Sequence, residues 1–490
     1  MGQISRLLWL TRRAIRWLEL AASDGLRQNG DPFELPALPT NASPLVAFDE
    51  SSQSFAQWNE AGATSGYCRF EQAPSKSKVL VVSAFENERH EVIAHFSWGS
   101  WLEDRGKEVA DGIWIRLSRP LYQQPWEIPG SWKDLSVACA DQGVSLLEVL
   151  RKLVGRLRDH GNSKQGWAQR LLLLGFPVPR EIGGTAERLH WLAVHLPRLA
   201  AGDDFSNGFR KNEMGYWATD RRNLSGSKRV RWLETACWSG EELEGRGRSS
   251  MELRSASVVI IGAGALGSCL AELLVRQGNR SLLIIDQEKL EAGNLVRHVL
   301  TLEDIGIAKA PALADHLNTV SPHCRIHGVE SSLVSLSEEE RSALSSAEVV
   351  IDCTGSDSVL RFLSELRGDK EHLMFSLSLG AYGRRIYCFF ARGLTFPWDE
   401  FASAIRSWLQ SPSEVVAPGD LHRGLGCWHP ALPVRLDAVW MAAVVGLRCL
   451  ETDLQKPSAY PHLSVFDQTP DSDGFPFLRR LAGPEGAGDG

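Results

Sequence analysis

The feature that most constrains this 490-residue chain is a glycine-rich turn between two apolar runs in its second half. The β-branched run 258–261 enters the pattern Gly262-x-Gly264-x-x-Gly267, a helix-like segment follows, and a second apolar run ends at Asp286. This order predicts the strand–turn–helix–strand unit that holds a nucleotide in doubly wound α/β sheets. The glycines let the backbone approach a phosphate, and the helix N-terminus offers unpaired N–H groups to an anion. Asp286 lies at the spacing expected of a carboxylate that binds ribose hydroxyl groups.

Three short motifs follow this unit in a fixed order. They are Asn294-Leu295-Val296-Arg297, then Lys309 in an Ile-Gly-Ile-Ala-Lys segment, then Asp352-Cys353-Thr354. A glycine pattern alone is also typical of proteins that bind NAD or FAD. The later motifs have no role in such an oxidoreductase, so we rank that function as the weakest alternative.

The ordered set resembles the adenylation domain of ubiquitin-activating enzymes and of the bacterial ThiF and MoeB types of sulphur-carrier adenylyltransferase. The resemblance covers roughly residues 215–450. It implies a Rossmann-like α/β domain with a mostly parallel sheet, which binds ATP and Mg²⁺. By this resemblance the glycines, Asp286 and Asn294 bind the nucleotide, while Arg297 and Lys309 both bind it and act in catalysis by neutralising phosphate charge.

The metal end of the motif departs from the family pattern. Relatives have a second aspartate two residues after the Asp-Cys-Thr cysteine, where this chain has Gly355. Two alternatives remain: either a longer loop brings Asp357 to the metal, or Asp352 holds Mg²⁺ itself. The candidate metal ligands are therefore Asp352 and Asp357, and the sequence does not decide between them. The resemblance also implies an arginine upstream of the first strand that reaches ATP, for which Arg221 and Arg222 are the candidates. The alternative for these arginines is a solvated charge run.

A second reactive position lies far from the glycine turn. The segment 426–430 reads Gly-Cys-Trp-His-Pro and resembles the thioester cysteine of bacterial ubiquitin-activating-like enzymes found in phage-defence operons. The resemblance implies that Cys427 is a catalytic nucleophile, and the neighbouring histidine and Arg423 would lower the pKa of its thiol. The alternatives are a small buried cysteine and a zinc site formed by His422, Cys427 and His429.

Cysteine usage and charge narrow the class of protein. The nine cysteines include no C-x-x-C pair, which argues against a disulfide framework or a paired-thiolate zinc site and fits a reducing cytoplasm. The net charge of −7 argues against a nucleic-acid surface. Near the N-terminus, the apolar run 7–10 is cut short by Arg12 and Arg13. We therefore expect neither a signal peptide nor a membrane partner, and a cytoplasmic location.

The sequence predicts that the chain is divided into four segments. Residues 1–44 form a basic amphipathic helix and a Pro-rich linker, and residues 45–240 form a mixed α+β accessory domain that binds substrate or a partner. Residues 241–470 form the adenylation domain with the cysteine loop, and residues 471–490 form a flexible tail. The accessory domain has no glycine-rich phosphate loop. Its cysteines, Cys68, Cys139 and Cys237, lack the His-Pro-Asn-like context of a conjugating enzyme, so we do not expect that activity there.

These features lead to one favoured function and two alternatives. The favoured function is ATP-dependent adenylation of the C-terminus of a ubiquitin-like protein, followed by thioester formation on Cys427 and transfer to a conjugating enzyme. The resemblance also implies a homodimer and a role in a bacterial antiphage system. The alternatives are a sulphur-carrier adenylyltransferase without a thioester step and a non-catalytic nucleotide-binding scaffold.

Overall fold

The computed structural model describes residues 3–23, 25, 28–35, 44–104, 106–121, 127–155, 170–200, 208–245, 247–410, 434–468 and 478–483. The chain divides into two compact units. The first comprises Met1–Ser97 and Arg105–Leu243, and the second comprises Trp98–Asp104 and Glu244–Gly490. The sequence placed a boundary after residue 240, whereas the contacts divide the chain after Leu243 and also move a short internal segment to the second unit.

The first unit is built on one mixed sheet. Its strands, over the described residues, run in the order β8-β7-β6-β5-β2-β3-β1-β9, with β4 paired to β3. They are β1 (Leu45–Phe48), β2 (Ser65–Gln72), β3 (Val79–Asn87), β4 (Val92–His95), β5 (Lys107–Arg116), β6 (Leu171–Pro179), β7 (Ala186–His195), β8 (Trp232–Leu233) and β9 (Thr235–Cys237).

Helices cover both faces of this sheet. Successive side chains of a strand point to opposite faces, and both faces here carry apolar side chains that need to be buried. Ile113 and Ile115 of β5 pack with helices on one face, and Trp114 lies in an aromatic cluster on the other. The helices of the unit, within the described residues, are α1 (Gln3–Ala22), α2 (Ser52–Ala61), α4 (Trp132–Ala140), α5 (Leu146–Val154), α6 (Glu213–Ser225) and α7 (Gly240–Leu243); α3 (Ser100–Glu103) lies in the second unit.

The N-terminal helix forms as the sequence predicts, but most of its apolar face is exposed in the part of the chain that the structure describes. Leu7, Leu10 and Trp17 are each more than half exposed, whereas Leu20 is partly buried. The polar face carries four arginines, and the guanidinium of Arg13 lies 5.1 Å from the ring centre of Trp9. Among the described helices, none is long and apolar enough to cross a membrane.

A buried carboxylate lies in the aromatic cluster of the first unit. Glu50 is 1% exposed, and its Oε1 accepts hydrogen bonds from Trp58 Nε1 at 2.9 Å and Trp191 Nε1 at 2.7 Å. Its Oε2 accepts a hydrogen bond from Ser54 Oγ. Burial raises the pKa of Glu50 to about 7, because the charged form loses hydration that these donors only partly replace.

Replacing this carboxyl group by an amide is expected to stabilise the first unit at alkaline pH. The pKa of Glu50 is raised on folding. Its contribution to the free energy of unfolding is therefore complete below pH 4.5 and is lost as the pH rises towards 7. Glu50→Gln keeps an oxygen acceptor for both indoles and carries no charge, so we expect a gain of up to about 3 kcal/mol at pH 8. Urea denaturation at pH 5 and pH 8 measures this gain in the free energy of unfolding, and Glu60→Gln, at an exposed position of α2, is the control. If both variants change the free energy of unfolding equally, the stability effect does not come from the buried Glu50.

The second unit has a doubly wound sheet. Over the described residues its strand order is β12-β11-β10-β13-β14-β15-β16-β17, parallel from β12 to β14 and antiparallel from there on. The strands are β10 (Val258–Ile261), β11 (Ser281–Asp286), β12 (Arg325–Glu330), β13 (Val349–Asp352), β14 (His372–Leu379), β15 (Arg385–Gly393), β16 (His462–Asp467) and β17 (Arg479–Leu481).

Two apolar cores lie on opposite faces of this sheet. In β10, Val258 and Ile260 face the core formed with α9, α10 and α14, whereas Val259 and Ile261 face the core formed with α11, α12 and α13. This explains the continuous β-branched run in the sequence, since a parallel strand buried on both faces has no polar side. The helices named are α8 (Met251–Ser255), α9 (Ala265–Arg276), α10 (Lys309–Asn318), α11 (Glu338–Ser346), α12 (Asp357–Glu365), α13 (Trp398–Leu409) and α14 (Leu436–Gln455).

The predicted fold class is confirmed. The unit is an α/β domain with a Rossmann-like parallel core, and a separate mixed α and β unit precedes it. Because the strands β10, β11, β13 and β14 are parallel, their carboxyl ends meet at one edge of the sheet, where open α/β sheets bind ligands.

Candidate nucleotide-binding site

The glycine turn between β10 and α9 leaves no room for side chains at two of its three glycines. Gly262 has a φ of +93°, and a Cβ there would lie 2.9 Å from Thr354 Cγ2. A Cβ on Gly267 would lie 1.9 Å from the carbonyl oxygen of Gly262. Gly264 is different, because a Cβ there would meet nothing within 4 Å. Gly262 and Gly267 therefore fix the turn, and Gly264 leaves open space at the N-terminus of α9.

Asp286 closes the turn from the end of β11. Its Oδ2 accepts a hydrogen bond from Ala263 N at 2.6 Å, and its Oδ1 accepts one from Glu288 N at 2.7 Å. Both bonds hold the carboxylate in a fixed orientation beside the glycine turn. A carboxylate in this place can still accept hydrogen bonds from ribose hydroxyl groups, since each oxygen has a second lone pair.

A cavity of about 360 Å³ opens at this edge of the sheet. Of the residues predicted from the sequence, Gly262, Gly264 and Asp286 line it. Glu288 also lines the cavity. The volume is in the range of small-molecule sites, and the N-terminus of α9 beside it favours an anionic group. The other lining residues are Ile261, Ile285, Gln287, Ser331, Ser332, Leu333, Cys353, Thr354, Ser356, Ser358 and Val359.

Lys309 is buried and paired. Its side chain is 6% exposed, and its Nζ lies 2.5 Å from Glu288 Oε2, whose side chain is 66% exposed. The backbone N–H of Lys309 also donates to the carbonyl oxygen of Glu288 at 2.9 Å. A buried ammonium group needs a charged partner. Here that partner is Glu288, which lines the cavity beside the glycine turn, whereas Lys309 itself is not among the lining residues.

The Asn294–Arg297 segment forms a tight turn after Asp286. Asn294 Oδ1 accepts a hydrogen bond from Glu291 N at 2.9 Å, and the backbone N–H of Arg297 donates to the carbonyl oxygen of Asn294 at 2.9 Å. The side chain of Asn294 thus shapes its own 3₁₀ turn. Arg297 is half-buried and directly precedes the histidine that contacts the glycine turn.

His298 is a residue that the sequence analysis missed. It is buried, its Nε2 lies 2.6 Å from the carbonyl oxygen of Ala263, and its Nδ1 accepts a hydrogen bond from Leu300 N at 3.1 Å. These two partners require a neutral ring with the proton on Nε2. Burial lowers the pKa of His298, which favours the same form. Its position immediately after the Asn-Leu-x-Arg motif is the feature of the sequence that could have identified it as a site residue.

His298 is expected to make the second unit less stable in acid. Its pKa is lowered on folding, so its contribution is present above pH 6.5, the ordinary histidine value, and is lost as the pH falls below it. Protonation also removes the acceptor for Leu300 N, a hydrogen bond of about 1 kcal/mol. We expect His298→Gln to lose less stability than the wild type between pH 7.5 and pH 5.5 in urea denaturation. Identical losses in the two proteins would contradict this role.

Asp352, at the end of β13, is 2% exposed. Its Oδ1 accepts hydrogen bonds from Thr354 N at 3.1 Å and Thr354 Oγ1 at 2.6 Å, and its Oδ2 accepts one from Ser376 Oγ at 3.1 Å. Burial raises the pKa of Asp352, against the effect of these donors. Thr354 was visible in the motif, but Ser376 was not, since only the pairing of Asp352 with Ser376 across β13 and β14 brings it there.

The loop after Asp352 separates the two predicted metal ligands. Gly355 has a φ of +62°, a conformation that favours glycine, and Asp357 begins α12 with an exposed side chain. Within the described ranges, no group of three or more His, Cys, Asp or Glu side chains could hold a metal. A single carboxylate at this position, Asp352, fits Mg²⁺ that arrives with nucleotide phosphates, because Mg²⁺ commonly uses one or two protein carboxylates.

The remaining predicted residues are placed as follows. Cys427, with His422, Arg423 and His429, lies outside the described residues. Arg221 and Arg222 lie on α6 of the first unit, where their guanidinium groups stand 5.5 Å from the ring centre of Trp217 and 5.2 Å from that of Phe209. Five of the predicted residues contact the glycine turn or residues that adjoin it. They are Gly262, Gly267, Asp286, Lys309 and Asp352.

Comparisons with known proteins match both units. A model of the Cap2 central linker domain matches residues 24–238, and a model of the ThiF family matches residues 244–368. The adenylyltransferase and sulfurtransferase MOCS3 of Drosophila sechellia is 31% identical over 119 residues, 24% of this chain and 26% of that protein. The crystal structure of E. coli MccB with ATP aligns with a TM-score of 0.31 at 13% identity, over 47% of this chain and 64% of that one.

One relative matches almost the whole chain. The ATP-dependent ubiquitin transferase-like protein Cap2 of Enterobacter hormaechei subsp. hoffmannii is 31% identical over 470 residues, which are 96% of this chain and 77% of the relative. The match therefore includes both the linker-type unit and the ThiF-type unit with its glycine turn. The chain belongs to the Cap2 family of ubiquitin-activating-like adenylyltransferases.

Proposed function

We propose that this protein uses Mg-ATP to adenylate the C-terminal carboxylate of a ubiquitin-like protein, takes the activated acyl group onto Cys427 and passes it to a conjugating enzyme. It acts as a homodimer in the cytoplasm, within a bacterial antiphage system. The ubiquitin-like substrate is supported by the Cap2 relative, whose name describes a ubiquitin transferase-like protein.

One structural observation carries the adenylation step. Glu288 lines the cavity beside the glycine turn, and the buried Lys309 reaches the same carboxylate at 2.5 Å. A dinucleotide site would need the glycine turn and Asp286 only. A buried cation paired with a carboxylate that lines the cavity suits a reaction in which negative charge develops on phosphate oxygens.

In the first step an oxygen of the carrier's carboxylate attacks the α-phosphorus of ATP, and the bond to the β-phosphate oxygen breaks to release pyrophosphate. Asp286 and the turn at Gly262 hold the nucleoside and phosphates, and Lys309 with Arg297 neutralises the anionic groups that meet. Mg²⁺, held near Asp352 with Asp357 as the second candidate ligand, would supply further positive charge to the phosphates.

In the second step the thiolate of Cys427 attacks the acyl carbon of the adenylate. The acyl–phosphate bond breaks, AMP leaves, and a thioester forms. The conjugating enzyme's own cysteine then takes the acyl group by a second thioester exchange. The sequence context of Cys427, with His429 and Arg423 nearby, supports thiolate formation.

Two alternative functions differ at these steps. A sulphur-carrier adenylyltransferase would form the adenylate without a protein thioester, and the short match to MOCS3 is the observation that favours it. A nucleotide-binding scaffold would form neither, and the position of Gly355, with Asp357 exposed beyond it, is the observation that favours it.

The test is ATP–pyrophosphate exchange with a purified candidate ubiquitin-like protein, together with detection of a thiol-sensitive covalent adduct. We expect Cys427→Ala to keep exchange and to lose the adduct entirely. Cys449→Ser is the matched control, because Cys449 is a partly exposed thiol in the same unit, and it should keep both activities.

The outcomes separate the alternatives. An adduct that survives in Cys427→Ala contradicts the thioester assignment. Exchange without an adduct in the wild type supports the sulphur-carrier function, and ATP binding without exchange supports the scaffold.

A further inference from the structure

A second cavity of the second unit lies between α14 and the antiparallel strands β15, β16 and β17. Its volume is about 390 Å³, which is in the range of small-molecule sites. Over the residues that the structure describes, it shares no lining residue with the nucleotide cavity. The steps of the proposed function use none of its lining residues.

The wall of this cavity is mainly apolar. α14 contributes Val444 and Val445, the strands contribute Phe390 and Phe466, and Leu478 directly precedes β17. Val444 is 40% exposed and Leu478 is 41% exposed, so part of this apolar surface is open to solvent. An apolar ligand body that covers it would be stabilised by the removal of that surface from water.

Two exposed arginines line the same cavity. Arg480, in β17, is held there by a hydrogen bond from its Nη2 to Ser464 Oγ at 2.9 Å. In the part of the chain that the structure describes, no carboxylate pairs with Arg480. Arg448, in α14, has a side chain that is 76% exposed, and its Nη1 lies 3.4 Å from Glu451 Oε2. The guanidinium group of Arg480 is therefore available to an anionic ligand.

One carboxylate, Asp453, also lines the cavity, but it is directed at the protein. It is 3% exposed, and its Oδ2 accepts a hydrogen bond from Tyr460 Oη. Its Oδ1 is shielded from solvent and lies 3.9 Å from Nε2 of His462, which is beyond hydrogen-bond distance. A solute that enters the cavity therefore meets positive charge, because the exposed charged groups are the arginines.

We propose that this cavity binds a medium-chain carboxylate, with the carboxylate group on Arg480 and the hydrocarbon chain along the apolar wall. A guanidinium group binds a carboxylate through two parallel N–H···O bonds, and the single bond to Ser464 leaves Arg480 further donors for them. An alkylammonium ligand would meet like charge at Arg448 and Arg480. A small inorganic anion would leave the apolar wall uncovered.

The experiment is isothermal titration calorimetry of the full chain with hexanoate, octanoate and decanoate, in the absence of nucleotide. We expect decanoate to bind with a dissociation constant of about 1 mM or tighter. Each pair of added CH₂ groups should tighten binding by roughly fifteen-fold while the chain still covers apolar wall. This dependence on chain length measures the contribution of the wall separately from that of the carboxylate.

Two further probes test the charge of the ligand on the unmodified protein. Octylamine has the same hydrocarbon chain as octanoate with the opposite charge at its head, and inorganic phosphate is an anion without a chain. We expect each to bind at least about ten-fold more weakly than octanoate, since one loses the charge-assisted hydrogen bonds to Arg480 and the other loses the apolar contact.

Variants at the cavity assign the two parts of the site. Arg480→Gln changes an exposed side chain and should weaken octanoate binding by about ten-fold or more, because hydrogen bonds to a charged group are lost. Arg479→Gln is the matched control, since Arg479 is the exposed neighbour in β17 and does not line the cavity, and it should leave binding unchanged. Val444→Trp, at a partly exposed position of the wall, should fill the cavity and abolish binding.

Three results would overturn the proposal. They are the absence of saturable decanoate binding up to about 10 mM, octylamine or phosphate binding as tight as that of octanoate, and equal losses of octanoate binding in Arg479→Gln and Arg480→Gln. Because neither ATP nor a ubiquitin-like protein is present in these titrations, the result is independent of the proposed function.

Discussion

Gly267→Ala is expected to abolish nucleotide binding and to destabilise the adenylation unit by about 3 kcal/mol or more. The added Cβ would lie 1.9 Å from the carbonyl oxygen of Gly262 and 3.3 Å from Cys353 Cβ. The first contact is with backbone that is itself held by β10 and β11, so no rotamer change can relieve it. We expect the thermal midpoint of the second unit to fall by roughly 10 °C, and the ATP-induced increase in that midpoint to disappear.

Gly264→Ala is the matched control, because it changes another glycine of the same motif. Its φ is −74°, and a Cβ there would meet nothing within 4 Å. The fold should therefore tolerate alanine, with a thermal midpoint within about 2 °C of the wild type. If Gly264→Ala and Gly267→Ala lower the midpoint equally, the steric explanation of this turn is wrong.

Lys309→Met is expected to reduce ATP–pyrophosphate exchange by about 10²- to 10³-fold with little loss of stability. Methionine fills the buried volume of the lysine stem. The partner carboxylate, Glu288, is 66% exposed, so it remains hydrated when the ammonium group is removed. However, the positive charge that neutralises the phosphates is lost. In a low-dielectric site this removes a large electrostatic stabilisation of the transition state. Steady-state exchange and thermal denaturation of the same preparation measure both effects.

Glu288→Gln separates the role of Lys309 from that of its ion pair. The amide oxygen can still accept a hydrogen bond from Lys309 Nζ, which lies 2.5 Å from the carboxylate in the structure. The lysine keeps its charge, so we expect exchange to fall by less than about ten-fold. A loss in Glu288→Gln as large as that in Lys309→Met would mean that the pair, and not the lysine alone, supports the reaction.

Local patterns in the sequence predicted the parallel core of the second unit well. The run 258–261 is apolar at every position because both faces of β10 are buried. The conformation of Gly262 and the clash at Gly267 likewise follow from the spacing of the motif. These features depend on near neighbours in the chain, which is why a single sequence displays them.

Other features could not be read from local sequence. Trp98–Asp104 belongs to the second unit through bonds such as Gly99 N to the carbonyl oxygen of Pro322 at 2.6 Å and Arg325 Nη2 to Glu103 Oε1 at 2.5 Å. The indoles around Glu50 also come from distant positions in the chain. Such contacts join residues that are far apart in sequence, and no local periodicity encodes them.

The candidate site shows the same division. The sequence by itself determined the glycine turn, Asp286 and the order of the later motifs, since each is a local pattern with a physical requirement at fixed spacing. Only the tertiary structure decided that Ser376 donates to Asp352, that His298 supports the carbonyl oxygen of Ala263, and that Lys309 is held by Glu288. Those contacts arise from strand register and from the packing of α10 against the sheet, which depend on the whole chain having folded.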